Sequence, residues 1–403
     1  LSSRLPFRLA RLVALFFFVG LSCGVGAADP GDLAKARSLV AGLDLKQKVG
    51  QLLLIGVQGR GELRDADFAL VSSLGPGGIL LFGFNVPDRA IDLAPPLRAL
   101  QKAATASSAA LPLLIAIDHE GGSVFRFHGG ITRPPSPLET GTRGPVFAGL
   151  LGEREGLELR SLGINFVLGP VVETLTEANQ AFLGNRSFGR DPEGVDRVAG
   201  AYIEGLARGG VASAAKHFPG NSFVDPHAGL PVLGLSRDAF SRELLPRFTS
   251  AMSHGVPAIM LSHVLVPAYD ERNPASLSPA LVGGLLRKKL GFDGLVVTDD
   301  LLMKALAQTA KRSAVQALAA GADLLMLSSS DAALPVRDAI VQAVKKGELP
   351  EARIDEAVVR VLRLKLSLKL LGFPETGPET AEHFAALVAE SARLLDLASR
   401  KGR

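Results

Sequence analysis

Short, continuously apolar runs recur along the chain, separated by longer stretches in which apolar residues fall three and four apart. The runs are Gln51 to Val57, Gly78 to Gly83, Leu113 to Asp118, Ile164 to Val172, Val211 to Lys216, Ala258 to Leu265, Gly294 to Asp299 and Ala322 to Ser328. Most are apolar at consecutive positions rather than alternating, as in parallel strands buried on both faces. Helical spacing predicts helices over Asp191 to Arg208, Arg237 to His254, Pro279 to Leu290 and Ser313 to Ala320. Strand and helix alternating eight times over roughly 300 residues predicts an α/β fold, a single-domain (β/α)8 TIM-type barrel. A doubly wound open sheet is the alternative, but no G-x-G-x-x-G follows the first strand. Glu351 to Leu371 reads as a closing helix. The barrel is therefore placed at residues 29–373, leaving a C-terminal tail, 374–403, that is too short for a second domain.

Ahead of the barrel stand Arg4, Arg8 and Arg11, the apolar stretch Leu12 to Leu21, and small residues through Ala28. This is the order of a secretory signal peptide over residues 1–28, and the apolar stretch is too short to span a bilayer. Cleavage near Ala27 or Ala28 would remove Cys23, the single cysteine. The competing reading makes Cys23 the lipidated first residue of a lipoprotein. The expected destination is the periplasm or the cell exterior. The formal charge of +4 owes three units to the leader, without which 41 basic side chains face 40 acidic ones. No basic stripe with interleaved aromatics is present, so nucleic acid is not an expected partner. With 47% hydrophobic and 21% charged residues the chain can bury a large core. No further apolar segment is long enough for a membrane span, and a monomer is expected.

The chemistry is concentrated where strands end. In a parallel barrel these positions point into one shared mouth. The third strand is followed by Asp118, His119, Glu120, Gly121 and Gly122, with Arg126 shortly after; the fourth by Glu173 and then Asn185 to Gly189, including Arg186. The fifth gives Lys216, His217, Asp225 and His227, the sixth Ser262 and His263, the seventh Thr298, Asp299 and Asp300. Carboxylates, arginines, a lysine and histidines facing one cavity suit a neutral, polyhydroxylated substrate. Asp-x-His spacing lets a carboxylate hold an imidazole in one tautomer. Asp299, at the end of an apolar strand, is placed to stabilise or trap an oxocarbenium-like centre. Each residue also has a plainer reading. Asp118 and Glu120 fit as caps of the next helix, one of Asp299 and Asp300 as an N-cap before Leu301, and Arg126 and Arg186 as surface side chains. His119, His128, His254 and His383 are left as structural or exposed, and His263 as a lesser pocket candidate.

At these residues the chain resembles glycoside hydrolase family 3, in its β-N-acetylglucosaminidase (β-hexosaminidase) branch, over most of residues 40–372. Five stretches carry the resemblance: I-D-H-E-G-G-S-V-F-R-F from Ile117, N-R-S-F-G-R-D-P-E from Asn185, K-H-F-P-G from Lys216, L-S-H-V-L-V-P-A from Leu261 and G-L-V-V-T-D-D-L-L-M from Gly294. The resemblance implies a retaining mechanism, with Asp299 as nucleophile and His227, oriented by Asp225, as general acid/base. It implies that Asp118, Arg126, Arg186, Lys216 and His217 bind the N-acetylglucosamine ring. No metal or organic cofactor is implied. The expected substrate is a terminal β-linked N-acetylglucosamine on a peptidoglycan fragment, a muropeptide or a related amino-sugar glycan.

The chain departs from the family in the loop after the fifth strand. The usual K-H-F-P-G-H-G, four residues, D-S-H becomes Asn221 and Ser222 in place of His-Gly, then only Phe223 and Val224 before Asp225. Pro226 inside the dyad fixes φ there and restricts Asp225. His119 and Ser123 replace the commoner Gln and Arg. A sugar-binding barrel with a degenerate acid/base loop is the alternative function. A metal-dependent hydrolase using His217, His227, Asp225 and Asp299 is disfavoured because Gly56-Val57-Gln58 stands where such barrels carry His-x-His. Transfer of the glycosyl group to phosphate instead of water is left open by the residues.

Overall fold

The computed structural model describes residues 30–371 and 380–401; the leader lies outside them. The apolar runs form eight strands: β1 Leu53–Gly56, β2 Gly78–Leu81, β3 Leu114–Ile117, β4 Phe166–Val167, β5 Ala212–Phe218, β6 Ala258–Leu261, β7 Leu295–Thr298 and β8 Leu325–Leu327. They pair in parallel in the order β7-β6-β5-β4-β3-β2-β1-β8. A parallel bridge from Val297 to Leu324, with the Thr298 N–H donating to the Leu324 carbonyl at 3.0 Å, brings β7 back to β8. The sheet thus closes into a (β/α)8 barrel.

Helices α1 Pro30–Ala41 and α2 Leu45–Gly50 precede the barrel; α3 Asp65–Leu74, α4 Ala94–Thr105, α5 Pro137–Leu162, the short α6 Gln180–Leu183, α7 Pro192–Arg208, α8 Arg237–Glu243 and α9 Leu245–Ser253 follow successive strands. A π-helix, Ala280–Lys289, covers the predicted segment after β6, and α10 Ala310–Ala320, α11 Ala333–Lys345, α12 Glu351–Ser367 and α13 Ala381–Lys401 complete the layer. The helix predicted over Arg237 to His254 is divided at Leu244, because Pro246 has no N–H to continue the ladder and starts a second helix instead. Within the expected tail, α13 packs along α5, where Arg154 donates to Ser391 Oγ at 3.0 Å and Arg143 to Ser399 Oγ at 2.9 Å.

Two strands differ from their sequence pattern in ways that shape the mouth. β4 is short because Pro170 cannot donate. Its extended continuation still pairs with β5 through Ala214 N–H to Gly169 O, Lys216 N–H to Pro170 O and Val172 N–H to Lys216 O, at 2.9 to 3.0 Å. β5 runs past the predicted end at Lys216 to Phe218, so His217 belongs to the strand and not to the loop after it. Gly56, at the end of β1, must stay bare: a Cβ there would lie 2.2 Å from the Ser328 carbonyl oxygen.

The strand side chains are almost wholly out of water, Leu53 to Ile55, Leu114 to Ile117 and Leu295 to Val297 among them, each contributing roughly 1.5–3 kcal/mol. The barrel floor also buries charge. Asp323 meets Arg287, Arg353 and Arg360 and is fully paired. Among the described residues Lys365 meets no carboxylate; its Nζ donates to Gln51 Oε1 at 2.6 Å, and burial lowers its pKa from 10.5 to about 7. A lysine whose folded-state pKa is depressed costs stability fully below the lower value and not at all above the higher one. Lys365→Met is therefore expected to raise stability by about 1–3 kcal/mol at pH 7, after allowing for the orphaned Gln51 oxygen. The gain should disappear above pH 10.5. Thermal melts of both proteins across that range check the sign.

Candidate active site

The C-terminal ends of the strands enclose a cleft of about 280 Å³ lined by Asp118, Glu120, Arg126, Arg186, Lys216, His217, His227 and Asp299, with apolar walls from Leu80, Phe82, Phe182 and Met260. A second hollow, about 340 Å³, lies at the opposite end beside Pro257, Gly294 and α12. Its arginines are spent on Asp293, so the chemistry belongs to the strand-end cleft.

Asp118 and Glu120, two residues apart in extended chain, project to the same side and share one lysine. Lys216 Nζ stands 2.8 Å from Asp118 Oδ1 and 2.6 Å from Glu120 Oε1. Arg126 reaches Asp118 Oδ2 at 3.1 Å, and Arg186 grips Glu120 with Nε and Nη2 at 2.8 and 2.9 Å. Burial pushes both carboxyls toward the neutral form. The adjacent cations outweigh it, holding Asp118 well below the usual range and Glu120 at about 2. Burial likewise works against charge on Lys216 and Arg186, and the facing carboxylates reverse the effect and raise both. Neither acid caps a helix. The turn at Gly121, with φ 83°, and the bond from Glu120 N–H to Val124 O fold the chain back and deliver Arg126 to Asp118. A Cβ on Gly121 would lie 2.3 Å from the Pro135 carbonyl oxygen.

His217 is fixed from behind. Glu173 Oε1 is 3.0 Å from its Nδ1 and accepts its backbone N–H, and Asn221 Nδ2 donates to the same oxygen at 2.7 Å. With Glu173 accepting the Nδ1–H, Nε2 is left facing Arg186, 3.5 Å away. Asn221, the residue that departs from the family motif, is buried; its Oδ1 accepts from Ser262 Oγ at 3.0 Å.

Asp299 differs from Asp118 and Glu120. It is 8% exposed, accepts only the Asp300 N–H at 2.9 Å, and makes no ion pair among the described residues. Asp300 does not cap a helix, since the next begins at Ala310. Its Oδ1 accepts from Leu302 N–H and Ser328 N–H, tying the ends of β7 and β8 together. His263 is buried between Ser276 Oγ and the Asp300 carbonyl and braces this turn rather than lining the cleft.

Asp225 and His227 stand on the loop after β5. Asp225 Oδ1 lies 2.8 Å from both the His227 backbone N and its Nδ1. The other ring nitrogen is left for the cleft. Partial burial would raise the Asp225 pKa, but the His227 N–H groups lower it overall. The His227 side chain is 66% and that of Asp225 51% exposed, and the loop is tied down by Ala305 N–H to Pro226 O at 3.1 Å. His119 points away from the cleft, packed against Phe125 and Phe127 with both ring nitrogens unpartnered, and burial lowers its pKa to about 4.

Every residue chosen from sequence except Asp225 lines the cleft directly, and Asp225 touches it through His227. Glu120 and Glu173 were read from sequence as strand-end residues at the mouth but given no role in the site. Their signal was available: Glu120 has the parity of Asp118, and Glu173 closes the run of the fourth strand.

A closed parallel barrel with an acid-rich mouth is an architecture suited to glycoside hydrolysis, among other chemistries. The glycosyl hydrolase family 3 N-terminal domain matches residues 44–364, and the chain belongs to that family. Beta-hexosaminidase LpqI of Mycobacterium tuberculosis is 33% identical over 353 residues, 85% of this chain and 88% of that protein. A beta-hexosaminidase of Methylobacillus flagellatus is 35% identical over 279 residues, 66% and 77% of the two chains. The structure of a family 3 beta-N-acetylglucosaminidase from Paenibacillus superposes with a TM-score of 0.79 at 36% identity, covering 87% of this chain and 68% of that one.

Proposed function

We propose that the chain is an exported, retaining exo-β-N-acetylglucosaminidase, acting as a monomer on peptidoglycan fragments or related amino-sugar glycans. The observation that carries the reading is the buried carboxylate of Asp299, which meets no cation among the described residues, while Asp118 and Glu120 beside it are matched by Arg126, Lys216 and Arg186 and Asp300 is taken up by two backbone N–H groups. In this mechanism Asp118, Arg126, Arg186, Lys216 and His217 hold the hydroxyls of one sugar ring. Asp299 attacks the anomeric carbon while His227 Nε2–H gives its proton to the departing glycosidic oxygen, leaving a glycosyl ester and a neutral imidazole. His227 then takes a proton from water as the water displaces Asp299, which restores the starting state. Asp225 keeps the ring in the tautomer this requires. The relatives named beta-hexosaminidase support the N-acetyl sugar, and the leader pattern of residues 1–28 supports export.

Release of p-nitrophenol from its β-N-acetylglucosaminide, with the β-glucoside as control, tests the activity. No turnover of the N-acetyl substrate overturns the reading. His227→Ala is expected to lower kcat by about 10²–10⁴ for a sugar leaving group. It should cost much less for 2,4-dinitrophenol, which departs without a proton. An equal loss for both leaving groups counts against His227 as the acid.

A further inference from the structure

Three of the chain's four methionines line the strand-end cleft, and each is tied through the backbone to the segment that carries Asp299. Met260 precedes Leu261, whose carbonyl accepts the Asp299 N–H at 3.1 Å. Met326 donates its N–H to Thr298 Oγ1 and accepts that of Leu301, both at 3.0 Å. Met303 N–H donates to the Asp300 carbonyl at 3.0 Å, and two residues further on Ala305 clasps Pro226, between Asp225 and His227. Met260 and Met326 are buried, whereas Met303 is half-buried and faces the cleft. The fourth, Met252, is also half-buried but lies at the far end of the barrel, beside Pro257 and Gly294. A thioether is the softest side chain available: the chain has no tryptophan, and its one cysteine, Cys23, stands ahead of the described residues.

We propose that Met303 is a site of covalent modification, oxidised to the sulfoxide by a peroxide, and that the modification disables the cleft. The consequence rests on the glycosidase reading; the modification itself does not. Met303 Sδ gives an electron pair to one peroxide oxygen, the O–O bond breaks and an S–O bond forms. The proton of the attacked oxygen passes to the other, which leaves as water, or as an alcohol from an organic peroxide. Sulfur is oxidised and the peroxide reduced. The product puts a strongly polar oxygen, able only to accept hydrogen bonds, on a wall that was apolar. Asp299 in the same turn is likewise an acceptor and meets no cation among the described residues, so neither group can satisfy the other. The sulfoxide holds water instead, in space that the sugar must enter dry.

The test is a time course of the wild type in hydrogen peroxide, with kcat/KM for the p-nitrophenyl N-acetylglucosaminide followed beside mass analysis of the methionine peptides. Met303 and Met252 are expected to oxidise before Met260 and Met326, because exposure sets the order. In step with the Met303 sulfoxide, kcat/KM should fall at least about tenfold. Met252→Leu should lose activity as the wild type does, while Met303→Leu should keep at least about half of its own starting activity at the same dose. Methionine sulfoxide reductase with a thiol reductant should restore the wild type. Activity lost while Met303 is still a thioether, activity kept with Met303 converted, or equal loss in Met303→Leu overturns the assignment. If the untreated protein turns over nothing, the glycosidase reading fails, and affinity for N-acetylglucosamine decides the assignment: a value that Met303 oxidation leaves unchanged overturns it.

Discussion

Asp299→Asn is expected to remove turnover of every N-acetylglucosaminide, with kcat falling by at least about 10⁴, while the protein stays folded. The side chain is nearly isosteric, and the one bond that Asp299 accepts, from the Asp300 N–H, can be kept by the amide oxygen. No cation among the described residues depends on its charge, so nothing in the framework is orphaned. The loss falls on chemistry alone: an amide cannot trap the anomeric carbon, and its weaker charge stabilises the oxocarbenium-like transition state poorly. Substrate binding should survive, because in the proposed mechanism the ring is held by the Asp118, Lys216 and Arg186 group. The measurement is kcat and ligand affinity on the variant, together with acid quenching of the wild type during turnover and mass analysis of the peptide containing Asp299. A glycosyl adduct on that peptide is expected. Retained turnover in Asp299→Asn, or an adduct on another residue, would reassign the nucleophile.

The barrel was legible because parallel strands buried on both faces write themselves as uninterrupted apolar runs, and eight of them stood at barrel spacing. What stayed hidden depends on contacts distant in sequence. The 26-residue α5 carries a non-helical Gly144 and Pro145, and it buries Glu155 and Glu158, so its apolar face is broken by residues that read as solvent-facing. Glu158 is accepted there because Thr132 donates to it twice, from backbone and hydroxyl. The part Glu120 plays, though not its place at the mouth, was hidden for a related reason: its partners Arg186 and Lys216 are 66 and 96 residues away, and next to a Gly-Gly turn a helix cap was the nearer explanation. The substitution of Asn221 into the family motif reads differently once its contacts are known. It stands behind His217 and holds Glu173, so its effect is on the posture of His217, while Asp225 and His227 remain in contact despite the shortened loop.

Lys216→Met should be the most damaging substitution for the framework of the site. One ammonium lies between the buried Glu120 and the partly buried Asp118, and its removal leaves the two acids facing each other with only Arg126 and Arg186 to compensate. Breaking a buried pair from one side costs about 3–5 kcal/mol, because the charge left behind is not resolvated. The pH dependence separates this cause from a mere packing defect. In the wild type both acids have folded-state pKa values below their unfolded ones, so their contribution is present at neutral pH and is lost as pH falls through the folded values. In the variant the repulsion between the two acids favours uptake of a proton by one of them, whose folded pKa moves up. That contribution has the opposite sign, being present at low pH and lost as pH rises. The difference in Tm between wild type and Lys216→Met is therefore expected to be large at pH 7 and to narrow toward pH 4.5. Lys216→Arg, which keeps the charge, should lose much less at either pH. A gap independent of pH would mean that the lysine stem, rather than its charge, holds the cleft together.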